Sequence, residues 1–240
     1  MRPPCVSVLI PTFARVQLLE EAIWSALRQD YAGIIQVDVF NDCEMQTLAA
    51  GDERVRCFNF HERFPTLGAK RQAMLECATH EWVAFLDDDD LWFPWHLSAL
   101  DLADTHTSCV PLRWWVFKPD DKNAWSHSES GGINFMARRQ LLLNLGGFDP
   151  KLDRGEDTEL RQRLLAGAEQ FQILRPSRPS YVYRLDRSQE HQSHHQQQVV
   201  ADADKRLRQG REPRGCVKLT PGWKRDYLGE ARERFPGDVP

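Results

Sequence analysis

The run Trp82-Val83-Ala84-Phe85-Leu86 leads without a break into Asp87-Asp88-Asp89-Asp90. Five consecutive apolar residues leave no polar face for water, so they suit a strand covered on both sides. Carboxylates at the end of such a strand fall at the carboxyl edge of an α/β sheet, where open sheets bind their ligands. Packed together the four charges repel, and a divalent cation offsets that repulsion. Hard oxygen donors suit Mg²⁺ or Mn²⁺, which in turn suit a phosphate-bearing substrate. A solvated acidic turn before a helix opened by Pro94 is the plainer reading of the same residues.

The residues upstream supply the rest of a sheet. Val6 to Ile10 is a β-branched strand stopped by Pro11-Thr12, and Arg15 to Gln29 carries the apolar spacing of a helix. Ile34 to Phe40 and Val55 to Phe60 are further strands. Thr66 to Ala78 is a helix with Leu67, Met74, Leu75 and Ala78 inward. Strands alternating with helices predict an α/β fold with a mostly parallel sheet flanked by helices. No G-x-G-x-x-G follows the first strand, so a dinucleotide site lacks its fingerprint. Asp42, after the second strand, suits a ribose or base contact or a simple Asx turn.

Downstream the pattern loosens. Leu97 to Ala103 is a short helix, Cys109 to Phe117 a strand, and Pro119 to Ser130 a polar surface loop. Gly131 to Met136 is a short strand leading into a helix over Arg138 to Leu145, which Gly146-Gly147 breaks. Glu156 opens a helix to Ala166 with Leu160, Leu164 and Leu165 inward, and its acidic first turn suits the helix dipole. Tyr181 to Leu185 reads as an edge strand. The tract around His191, His194 and His195 reads as polar chain more readily than as a metal box. Ala201 to Arg234 reads as a terminal arm packed loosely on the domain.

Composition closes off several classes. A net charge of −4, from 31 basic and 35 acidic residues, gives no electrostatic case for nucleic-acid binding. No apolar run approaches the ~20 residues of a membrane span, so no transmembrane segment is expected. Pro11 cuts the first apolar run before a signal peptide could form. Six cysteines without a C-x-x-C pair read as reduced thiols of a cytoplasmic protein.

Taken together, five fragments resemble family 2 glycosyltransferases of the GT-A fold. They are S-V-L-I-P-T-F-A-R from Ser7, N-D-C-E from Asn41, G-A-K-R-Q from Gly68, F-L-D-D-D-D-L-W-F-P from Phe85, and L-G-G-F-D from Leu145 with Glu156-Asp157 beyond it. Asn41, Cys43 and Gln72 depart from the usual Asp, Gly and Asn of that pattern. The resemblance implies an inverting transfer of a sugar from a nucleotide-diphosphate donor to a hydroxyl of a saccharide, lipid-linked or other acceptor. It implies a GT-A domain over residues 1–195, with a nucleotide-sugar half (1–118) and an acceptor half (119–195), followed by a C-terminal arm (196–240).

Carried onto this sequence, the resemblance makes Asp89 the direct ligand of Mn²⁺ or Mg²⁺, with His191 as an extra ligand. Pro11, Thr12, Asp42, Arg71, Asp87 and Asp88 fall on the donor side, Arg71 as a cation at the diphosphate or an ordinary surface arginine. Asp157 is the expected general base, with Glu156 as its rival and a helix-start acid as the plainer reading. Asn134 and Trp125 fall on the acceptor side, and Trp114, Trp115 and Trp125 suit sugar stacking or simple core packing. Competing classes are a sugar-phosphate nucleotidylyltransferase, an aspartyl phosphatase and a non-catalytic nucleotide-sugar or glycan-binding module. The first lacks its Gly-rich phosphate loop after strand one. The second normally carries its aspartates on the first strand.

Overall fold

The computed structural model describes residues 3–103, 107–111, 114–118, 124–128, 133–166, 172–173, 178–184 and 196–239. Its first half is strand β1 (Val6–Thr12), helix α1 (Val16–Leu27), β2 (Ile35–Asn41), β3 (Gln46–Ala49), β4 (Val55–Asn59), helix α2 (Leu67–Cys77) and β5 (Trp82–Phe85). Then come β6 (Leu91–Trp92), a 3₁₀ turn (Leu97–Leu102), β7 (Thr107–Pro111), β8 (Trp114–Lys118), β9 (Ala124–Ser128), β10 (Phe135–Arg138) and α3 (Arg139–Asn144). The chain continues through α4 (Glu156–Ala166), β11 (Gln172–Ile173), β12 (Tyr181–Arg184), α5 (Gln196–Arg208), β13 (Gly215–Lys218) and α6 (Tyr227–Arg234).

Seven strands form the central sheet in the order β11-β7-β10-β5-β1-β2-β4. β1 pairs in parallel with β2 and β5, and β2 with β4. β10 runs antiparallel to β5, so its beginning lies beside the end of β5. Every residue of β1 and β5 is buried; β5 is apolar throughout, and β1 is apolar except at Ser7 and Thr12. The pleat sends Val6, Val8 and Ile10 to one face, where Leu19, Ala22, Ile23 and Ala26 of α1 cover them. Leu9, Val83 and Phe85 face the other way against Met74 and Leu75 of α2 and Leu160 and Leu164 of α4. Each such fully buried side chain contributes about 1.5–3 kcal/mol. The sheet is therefore clamped between helices, and the ends of β1, β2 and β5 open on one edge.

Several expectations are corrected. Residues 124–128, read as loop, form β9, which pairs with β8 in a second sheet ordered β6-β12-β8-β9. β12 lies inside that sheet, between β6 and β8, rather than at an edge. The single strand expected over Cys109 to Phe117 is two, β7 and β8. Pro94 opens no helix; a 3₁₀ turn begins at Leu97. Leu165 is 41% exposed, because the helix turns it off the face shared by Leu160 and Leu164.

The segment from Gln196 is not loosely packed. β13 pairs with β3, Ala203 and Leu207 pack on Ala14 and Cys43, and Tyr227, Ala231 and Val239 pack on Leu91, Phe93 and Val182. Its other anchors are polar. Glu20 accepts from the Thr220 N–H at 2.8 Å, and Glu21 from the Lys224 N–H at 2.8 Å. Ala203 and Leu207 share one face of α5, whereas the contacts at residues 220 and 224 use backbone donors, which leave no signal in sequence. No helix among the described residues is long and apolar enough to cross a membrane.

Candidate active site

Helix α2 begins at Thr66, whose side chain accepts the Ala69 N–H at 3.0 Å and caps the first turn. Gly68 in that turn lets the helix approach the turn at residues 149–152, and its N–H reaches the Leu152 carbonyl at 2.9 Å. This contact aims the next two residues into the sheet edge. Lys70 is buried and donates to the Thr12 carbonyl at 2.8 Å and to Asp42 Oδ1 at 2.6 Å. Asp42 Oδ2 accepts the Phe64 N–H at 3.1 Å. Burial lowers the Lys70 pKa, and Asp42 opposes the fall.

Arg71 bridges the two sides of the edge. One guanidinium nitrogen donates to Asp87 Oδ1 at 2.9 Å, and Nε lies 3.0 Å from Glu156 Oε1. Burial works against that cation, yet Asp87 and then Glu156 hold it protonated. Burial raises the carboxyls of Asp87 and Glu156, with Arg71 opposing in both cases. A cleft of about 340 Å³ opens here, lined by Arg71, Asp87, Asp90, Asn134, Glu156 and Asp157 among others. Asp157 is partly exposed on that cleft, and its Oδ1 accepts the Thr158 N–H at 2.6 Å. Glu156 is 3% exposed. The two neighbours thus stand in different environments.

The aspartate turn divides its four carboxylates. Asp88 points away from the cleft and accepts from Thr12 Oγ1 at 2.7 Å and from Arg15 Nε at 3.2 Å. Its carboxyl is pushed up to about 6 by burial, against the pull of Arg15. Asp89 Oδ2 accepts from the Arg15 guanidinium at 2.8 Å. Asp90 accepts from the Tyr181 hydroxyl at 2.8 Å and the Arg184 N–H at 2.9 Å, which ties β12 to the turn. Arg184 also reaches the Asp89 carbonyl, while its charge is met by Glu21 at 2.5 Å.

Asp87, Asp89 and Asp90 each offer an oxygen within 4.8 Å of the others. Asp88 and Asp89 pair with Arg15, and Asp87 with Arg71. The all-carboxylate donor set of Asp87, Asp89 and Asp90 fits a divalent Mg²⁺ or Mn²⁺ ion.

Of the residues singled out in sequence, Arg71, Asp87, Asn134, Glu156 and Asp157 meet around the cleft. Thr12 and Asp88 form a buried pair beside it, Asp89 faces Arg15, and Asp42 lies behind on Lys70. Pro11 is buried in β1 opposite Phe40. Trp125 does not join them; it packs in an apolar cluster with Phe93, ring centres 6.5 Å apart. β9 carries Trp125 into the second sheet. His191, His194 and His195 lie outside the described residues, as do the side chains of Trp114 and Trp115. Sequence reasoning missed Arg15 and Lys70 as parts of the site. Arg15 had a signal: a cation at the start of a helix opposes the dipole and needs an anion to explain it.

Residues 7–152 match the family described as glycosyl transferase family 2. The chain belongs to that family. A GalNAc(5)-diNAcBac-PP-undecaprenol beta-1,3-glucosyltransferase of Campylobacter jejuni is 38% identical over 104 residues, covering 40% of this chain and 33% of that one. The matches span about a third of the length of the curated relatives. Among solved structures, S. aureus TarS 1–349 superposes with a TM-score of 0.59 at 17% identity, over 75% of this chain and 60% of that one. The Pyrobaculum calidifontis mannosyltransferase PcManGT gives 0.54 at 20% identity, over 89% and 66%. These likenesses establish the GT-A fold of this glycosyl transferase family 2 chain.

Proposed function

We propose that this chain is an inverting glycosyltransferase that moves a sugar from a nucleotide-diphosphate donor to an acceptor hydroxyl with a divalent cation. The observation that carries the reading is Arg71, which joins Asp87 on the donor side to Glu156 on the far wall of one cleft while Asp157 stays open to it. The complexes of TarS with UDP and UDP-GlcNAc, and of PcManGT with GDP-Man and Mn²⁺, support a nucleotide-sugar donor.

Asp87, Asp89 and Asp90 would hold the ion, which when bound supplies positive charge against the departing diphosphate. Arg71 adds a fixed cation at the same wall, prepaid by its two carboxylates. Asp157 accepts the proton of the acceptor hydroxyl as the new bond forms. Glu156 is a positioning residue, since its carboxylate is buried and engaged by Arg71. Thr12, Asp42 and Asp88 shape the donor side, Asn134 the acceptor side. A cytoplasmic location fits the unpaired thiols of Cys5, Cys43, Cys57, Cys77 and Cys216.

The test is a panel of nucleotide-sugars screened for thermal stabilisation with and without Mn²⁺, followed by transfer assays with the hits. A donor that stabilises the fold and is consumed, with inverted anomeric configuration in the product by NMR, is expected. Binding without donor consumption in the presence of any hydroxyl acceptor points instead to a nucleotide-sugar-binding module. Equal binding in Mn²⁺ and EDTA removes the metal from the reading.

A further inference from the structure

We propose that Arg15 is an internal counter-cation of the aspartate turn that competes with the divalent ion for Asp89 and so sets the metal affinity of the site. The inference rests on the metal reading above and adds a residue to it.

The guanidinium forks across two carboxylates. Nε lies 3.2 Å from Asp88 Oδ2, one terminal nitrogen 2.5 Å from Asp88 Oδ1, and the other 2.8 Å from Asp89 Oδ2. Asp89 also belongs to the group of oxygens that converge within 4.8 Å. An ion held there would sit one carboxylate away from a fixed positive charge. Two cations sharing one carboxylate repel. Metal entry must therefore weaken the Arg15–Asp89 contact, and that contact must weaken metal binding; the linkage is reciprocal.

The surrounding chain decides which part yields. Arg15 stands at the cap position of α1, where a cation opposes the helix dipole and is tolerated for its two carboxylates. On one side the Ala14 carbonyl accepts from Arg206 of α5 at 3.2 Å. On the other the Val16 N–H donates to Glu212 Oε2 at 3.0 Å. The backbone is thus fastened before and after Arg15, and Ala14 sits at φ +50°. The side chain, with a fifth of its surface in solvent, is the part that must yield. Asp88 stays behind as its anchor, held by the Thr12 hydroxyl.

A purely structural role for Arg15, fixing Asp89 in a binding-ready pose, gives the opposite sign and is separated by direct binding. Mn²⁺ is titrated into the full chain and free ion read by EPR, alone and again with excess UDP or GDP. Wild type, Arg15→Gln and Arg15→Lys are compared, with melting curves for each. Arg15→Gln should bind Mn²⁺ about tenfold more tightly, within the usual range of such couplings. It should melt lower without metal and gain more from saturating Mn²⁺ than wild type. Arg15→Lys keeps the charge but loses the fork, so its affinity should fall between the two.

Equal or weaker Mn²⁺ binding by Arg15→Gln overturns the proposal while leaving the metal site standing. If Arg15→Gln does not melt cooperatively, Arg15→Lys decides: tighter than wild type supports the competition, equal or weaker ends it. Absence of Mn²⁺ binding in every variant, with and without UDP or GDP, overturns both the metal reading and this inference.

Discussion

Replacing Gly68 by alanine sets two opposed effects against each other. Alanine in a helix is favoured over glycine by about 1 kcal/mol, so local propensity alone makes Gly68→Ala stabilising. The packing says otherwise. A Cβ at this position would overlap the Asp149 carbonyl oxygen and lie 2.7 Å from the Leu152 carbonyl oxygen, where Cβ atoms essentially never come within 3.0 Å. Both obstacles are backbone, so no side-chain rotation relieves them. Overpacking of this kind costs about 1–3 kcal/mol, and a rigid obstacle belongs at the upper end. Subtracting the helix gain leaves a loss of about 2 kcal/mol, or roughly 4–8 °C in melting temperature for a chain of this size.

The displacement also has a direction. Pushing the turn at 149–152 away from α2 separates Arg71 from Glu156, now 3.0 Å apart, and carries Asp157 with it. Misplacement of a catalytic group by about 1 Å can cost 10²-fold in rate. Urea denaturation with a transfer assay reads both effects. A Gly68→Ala protein that melts at or above wild type would show that helix propensity governs here and refute the packing argument.

Other outcomes follow from single contacts. Asp157→Asn should keep donor binding by calorimetry while transfer falls about 10²- to 10⁴-fold; near-normal turnover, with Glu156→Gln inactive, would move the base to Glu156. Glu21→Ala leaves the buried Arg184 charge without its carboxylate and should cost about 3–5 kcal/mol in urea unfolding; a loss below about 1 kcal/mol would show that Tyr227 and water suffice. His96, stacked on Trp92 with ring centres 4.2 Å apart, is held neutral by burial, well below its ordinary value near 6.5. The unfolded chain therefore binds the proton first, and stability should fall as pH drops below that value, by up to about 1.4 kcal/mol per pH unit. His96→Gln should flatten that limb of the stability–pH curve, and an unchanged slope would assign it to other groups.

How much of this was visible beforehand depended on where each signal lived. The parallel strands and the aspartate turn were legible because a strand covered on both faces is predominantly apolar, as β5 is throughout and β1 is apart from Ser7 and Thr12. α2 was legible through its apolar spacing. β3 was not, since Gln46 to Ala49 is four residues of mixed polarity whose pairing partner, β13, comes about 170 residues later. β9 was hidden by a polar composition that suits a strand with a solvated face as well as a loop. Asp90 looked like one more member of an acidic run, yet its role is set by Tyr181 and the Arg184 backbone, more than ninety positions away. Buried Glu20 and Glu21 escaped notice for a related reason: on a helix they read as solvent-facing until residues 220 and 224 are brought to them.

Those last contacts bear on how the protein is made. A ribosome releases α1 early, but the groups that satisfy Val16, Glu20 and Glu21 emerge about two hundred residues afterwards. Until then Glu20 lacks the Thr220 donors, Glu21 the Lys224 N–H, and the Val16 N–H the Glu212 carboxylate. Closing contacts of such long sequence separation is intrinsically slow, because the loop entropy is surrendered before the contacts repay it. The half that carries α1 and the aspartate turn therefore cannot mature in the order in which it is synthesised. Its first helix waits for the final stretch of the chain, and a ribosome stalled near residue 190 holds a sheet whose candidate active-site edge is not yet fastened.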